Sequence, residues 1–124
     1  MAQLAKQADG KTITRLEEIA QREDVSANFL VQILNDLRRA ELVISIRGKL
    51  GGYILEKNAS DISLYDIVNA VDPSVLATSS NSNGESGEQI KRAWDNVGNA
   101  LNQSLKNITL DTLTNESTNP MFYI

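Results

Sequence analysis

Neither cysteine nor histidine occurs in the 124 residues. The first absence removes disulfides, thiolate metal ligands and cysteine nucleophiles together. The second removes the commonest general base and the commonest metal ligand. Carboxylates, lysine, tyrosine and hydroxyls are left for chemistry, and the carboxylates are scattered without shared-face spacing, which argues against an enzyme. No apolar run approaches the roughly 20 residues that span a bilayer. No basic segment followed by a long apolar stretch opens the chain, so no signal peptide is read and a cytoplasmic location away from membranes is expected. What is present is ordinary for a soluble globular protein: 41% hydrophobic and 23% charged residues. The length suits one small domain with an appendage.

The net charge of −4 is unevenly placed. Residues 1–58 hold nine basic and eight acidic residues, whereas residues 59–124 hold three and eight. Phosphate contacts need local positive charge, and only the N-terminal half concentrates it.

Met1 to Ala8 reads as a short helix broken by Asp9-Gly10. Thr14 and Glu17 have the spacing of a capping box and place the next helix start at Thr14. Leu16, Ile19 and Ala20 form that helix's inner face. After Asp24-Val25-Ser26, Ser26 is an N-cap for a third helix with the apolar stripe Leu30, Ile33, Leu34 and Leu37. Asn28, Phe29, Gln32, Asn35 and Arg39 fall largely off the stripe. Two short amphipathic helices joined by a tight turn match a helix-turn-helix, and equally any small helical hairpin.

The following segment favours the first reading. Leu42–Ile46 is β-branched and apolar, Arg47–Gly52 is a glycine-rich turn with two cations, and Tyr53–Leu55 is a second strand. This hairpin is a wing, with Arg47 and Lys49 at a tip that a phosphate or minor groove could meet. A strand follows the glycines, so the segment is not a phosphate-binding P-loop. Ser63, with Asp66 three residues on, caps a helix through Leu64, Ile67, Val68 and Val71 that Pro73 stops. Residues 78–87 contain nothing apolar and read as an exposed loop. Ser86 and Gln89 have the spacing of another capping box at the start of the longest helix. Along it Ile90, Trp94, Val97, Leu101, Leu105 and Ile108 recur at near-heptad spacing, a seam suited to a partner helix. The tail Asn119–Ile124 is apolar for a terminus.

Five strings in order, LEEIA (Leu16–Ala20), VSANFLVQIL (Val25–Leu34), LRRAELV (Leu37–Val43), RGKLGGY (Arg47–Tyr53) and ISLYDIVNAVD (Ile62–Asp72), resemble the Rrf-type family of bacterial regulators. A weaker match continues at Ala93-Trp94 and Leu105–Leu113. The resemblance implies a mainly α fold with a small β-hairpin wing: a winged helix-turn-helix plus a long C-terminal dimerisation helix. The implied division is 1–73 DNA-binding domain, 74–87 flexible loop, 88–113 dimerisation helix with a short following helix, and 114–124 tail.

It further implies a homodimeric transcription regulator, a repressor, on a palindromic operator in double-stranded DNA. Carried over by position, Asn28, Phe29 and Gln32 would face base edges and sugar-phosphate, and Arg47, Gly48 and Lys49 would form the wing contact. Ser26 and Arg39 complete the expected DNA-contacting set, and the seam from Ile90 to Ile108 would be the dimer interface. Gln32 is the candidate for direct readout, since an amide paired twice with adenine gives ~1–3 kcal/mol of discrimination.

This sequence departs from the family pattern in several places. Cluster-binding members carry three cysteines in the loop before the tryptophan. Only serines such as Ser79, Ser80, Ser82 and Ser86 stand here, so no iron–sulfur cofactor is expected. Met1 falls near the middle of the family's longer first helix. Glu41 replaces a common glycine, at roughly 1 kcal/mol if its backbone is left-handed. Lys49-Leu50 stands where Pro-Gly is common. An effector, protein or small molecule, would act on the 74–87 loop or the long helix. A second reading stays open: a winged-helix module that binds protein, motivated by the acidic net charge and apolar tail.

Overall fold

Apolar residues at three- and four-residue spacing need a helix to share one face, and the described residues supply six α-helices. They are α1 (Ala2–Lys6), α2 (Leu16–Arg22), α3 (Ala27–Arg39), α4 (Leu64–Val71), α5 (Gly87–Asn107) and α6 (Leu110–Thr114). Strands β1 (Val43–Ile46) and β2 (Gly52–Leu55) pair antiparallel between α3 and α4. The computed structural model describes residues 1–6, 12–76 and 84–114. The Asp9-Gly10 break, residues 77–83 of the 74–87 loop and the Asn119–Ile124 tail lie outside the described residues.

The caps show which local signals prevail. Ser26 accepts the Phe29 N–H at 3.1 Å, as an N-cap should. Ser63 and Asp66 form a full capping box, at 3.1 and 3.0 Å. The two other proposed boxes are absent. Helix α2 starts at Leu16 with Arg15 as N-cap residue and no side-chain cap. Thr14 is extended instead: its N–H donates to the Tyr53 carbonyl at 3.0 Å, and its carbonyl accepts the Tyr53 N–H at 2.8 Å. A long-range backbone pair thus takes the residue that a local box would have used. Ser86 precedes α5 with no side-chain cap bond, because its φ of −96° and ψ of 8° lie outside the extended region where a cap hydroxyl reaches back.

Helices α2 and α3 end alike. Asp24 (φ 53°) and Glu41 (φ 62°) are left-handed. After α2, the Val25 N–H reaches the Ala20 carbonyl and the Asp24 N–H that of Gln21. After α3, Leu42 reaches Leu37 and Glu41 reaches Arg38. Both are Schellman ends closed without glycine. Glu41 therefore occupies the left-handed position expected for it, at about 1 kcal/mol relative to glycine.

One core joins these elements: Leu4, Ile19, Leu34, Leu37, Val43 and Ile62 are among its buried residues. Leu110 of α6 is 1% exposed and belongs to it as well. Helix α6, grouped by sequence with the long helix, packs on α1 and on the turn at Ala59–Asp61, and it includes Thr114. The winged domain is therefore discontinuous in sequence, with α5 set between two parts of its core. Helix α4 is half-buried along its apolar side, where Ile67, Val68 and Val71 line an open apolar groove of about 510 Å³ shared with Ile33 and Leu37 of α3.

Candidate nucleic-acid interface

The turn between α2 and α3 fixes how α3 is presented. Its stripe of Leu30, Leu34 and Leu37 is buried against the core, so the opposite ridge faces outward. Asn28 and Gln32 are exposed on that ridge, and Phe29 beside them is 56% exposed. Arg39 falls on the same ridge, about 16 Å further along the axis at 1.5 Å per residue. Its guanidinium also has a local partner, Asp36 at 3.3 Å, although the side chain is 75% exposed. Ser26 uses an oxygen lone pair as the cap and keeps its O–H for another acceptor. The start of α3 therefore offers exposed amides, a hydroxyl and the positive end of the helix dipole together.

The second part is the wing. Val43 pairs with Leu55, Ile44 with Ile54, Ser45 with Tyr53 and Ile46 with Gly52. The Gly51 N–H closes the tip onto the Gly48 carbonyl at 3.0 Å, and Gly48 has φ +116°, a conformation side chains rarely adopt. A Cβ on Gly52 would lie 2.3 Å from the Thr14 carbonyl oxygen, so this strand can run beside Thr14 only as glycine. Arg47 and Lys49 are exposed at the tip and form no ion pair among the described residues. The Arg15 guanidinium donates to the Lys49 carbonyl, a contact that sequence reasoning missed. Its partners are 34 residues apart, and no local spacing points to it.

The seam of α5 is a separate surface, and it divides. Ile90, Trp94, Val97 and Leu101 are 51%, 55%, 56% and 41% exposed. Leu105 and Ile108 are half-buried, where the chain returns to the domain: the Leu64 N–H donates to the Ile108 carbonyl at 2.8 Å. Lys106 also lies over the Tyr65 ring of α4, 4.7 Å from its centre. The open part of the seam is four residues long, not six.

With this geometry in place, comparison with known proteins is informative. A family model described as "Rrf2: Iron-dependent Transcriptional regulator" matches residues 1–116. The HTH-type transcriptional regulator IscR of Escherichia coli is 38% identical over 104 residues, covering 81% of this chain and 64% of that protein. The Pectobacterium atrosepticum IscR is 36% identical over 104 residues, covering 81% and 63%. The chain thus spans a little under two thirds of these relatives' length. Among solved structures, CymR, the global cysteine regulator of B. subtilis, superimposes with a TM-score of 0.78 at 30% identity, covering 93% of this chain and 87% of that one. IscR of T. potens gives 0.75 at 29% identity, with 94% and 78% covered. The iron in the family's description does not fit the donors present. The chain has no cysteine or histidine, and among the described residues no three carboxylates converge on a point.

Proposed function

Because the chain belongs to the Rrf2 family of transcriptional regulators, we propose that it is a sequence-specific DNA-binding repressor, acting in the cytoplasm as a homodimer on a palindromic operator. The observation that carries this reading is the pairing, on one small domain, of an exposed polar ridge on α3 with a cationic wing whose two charges form no ion pair among the described residues. In this reading the N-terminal turns of α3 enter the major groove. Asn28 and Gln32 meet base edges, and Phe29 packs on sugar or on a thymine methyl. Ser26 and Arg39 contact the backbone at the two ends of the ridge, and Arg47 and Lys49 follow the neighbouring minor groove. The exposed stripe Ile90–Leu101 supports the dimer, since a stripe of that size on a long helix marks an association surface. Two joined domains would set their α3 helices roughly one DNA turn apart, about 34–36 Å. We assign no cluster to this chain, and switching by a thiolate-held cofactor is not part of the reading.

Selection from random duplexes, followed by anisotropy titration across salt, tests it. The expected result is a palindromic consensus, with log affinity falling steeply and linearly against log salt, by about 0.9 for each phosphate neutralised. Selected duplexes that bind no better than scrambled ones would sink the proposal.

A further inference from the structure

The wing is a pair of four-residue strands, and a two-stranded hairpin alone is marginal in water. Its base is held: Val43 is in the core, and Tyr53 is bonded in both directions to Thr14. Its tip projects, with Leu50 82% exposed. Beyond the local Gly51–Gly48 bond, the tip is tied to the rest of the domain by the Arg15 side chain on the Lys49 carbonyl. Arg15 occupies the N-cap position of α2, where serine, threonine, aspartate or asparagine is preferred for an accepting side chain. A guanidinium has donors only and cannot cap. Here it makes no cap bond and reaches across to the wing instead. The carbonyl it holds belongs to one tip cation and lies two residues from the other.

The geometry points to Arg15 as the positioning residue of the wing: it governs DNA binding by fixing the tip that carries Arg47 and Lys49, and does so without touching DNA itself. This rests on the DNA-binding reading above, but its first test does not. Arg15 is exposed, so Arg15→Ala leaves the core intact. In the free full-length protein, backbone amide order parameters at Lys49, Leu50 and Gly51 fall in Arg15→Ala. They recover in Arg15→Lys, whose ammonium can still donate to the carbonyl. Unchanged order parameters in Arg15→Ala overturn the assignment, whether or not any duplex has been found.

The second test is a double-mutant cycle on the selected duplex. Arg15→Ala weakens binding by about tenfold in the otherwise native chain. In a chain already carrying Arg47→Ala and Lys49→Ala, the same change costs about twofold or less, because there is no charged tip left to position. A loss that stays at tenfold in that background makes Arg15 a direct phosphate contact and overturns the inference.

Discussion

Helices α3 and α5 carry the same kind of amphipathic stripe and put it to opposite uses. Leu30, Leu34 and Leu37 of α3 are 2–8% exposed, while Ile90, Trp94 and Val97 of α5 are 51–56% exposed. The first stripe is enclosed by its own domain, so what α3 presents outward is polar. The second is turned away from the domain: α5 meets α4, its Gly98 is buried, and its large apolar residues remain outside. A periodic apolar stripe says that a helix will pack. It does not say whether the packing completes a fold or an assembly.

Substitutions can break or sharpen that contrast. The largest effect is expected from Leu37→Ala, which opens a cavity at a site 2% exposed and lowers folding stability by about 2–5 kcal/mol, seen in denaturant midpoints and Tm. Trp94→Asp should leave the fold intact by circular dichroism but weaken self-association by about 2 kcal/mol or more, read by sedimentation at micromolar concentration. If Trp94→Asp instead unfolds the chain like Leu37→Ala, the two stripes are not different in kind. A smaller change comes at the end of α3. Glu41→Gly relieves the left-handed φ of 62° and should raise stability by about 1 kcal/mol in urea titrations. Smallest is Arg39→Ala, which removes an exposed pair with Asp36. Its stability cost should stay under about 0.5 kcal/mol. Its effect on DNA binding should be similar across sequences, with a shallower salt slope, as for a phosphate contact.

Much of this was legible in the sequence, for reasons that differ by residue. The stripes of α2 and α3 and the Ser26 and Ser63 caps follow from chemistry within a few positions, which a linear reading sees, whereas the left-handed Glu41 was expected only because the family resemblance puts a glycine there. Thr14 misled because its spacing to Glu17 is a valid cap signal, and only the fold brings Tyr53 alongside to claim its backbone. Ser86 misled because a cap needs extended backbone as well as a hydroxyl. The seam's first four residues are exposed along α5, but its last two lie where the chain turns back to the core, and periodicity carries no information about that return. Of the candidate interface, the exposure of the α3 ridge and of the wing tip was legible. The Arg15 tie was not, because it exists only once residues 34 apart are folded together.

The place of Leu110 has a consequence in time as well as in space. It packs with Leu4, Ile62 and Leu37 in a single cluster, although more than a hundred positions separate it from Leu4. Contacts of such sequence separation close late and slow the approach to the native state. During synthesis, α3 and the wing emerge well before the residue that completes the core beneath them. The domain therefore has no finished form until α5, with its exposed apolar stripe, has also left the ribosome. The parts proposed to read DNA and to pair two chains reach their working state together.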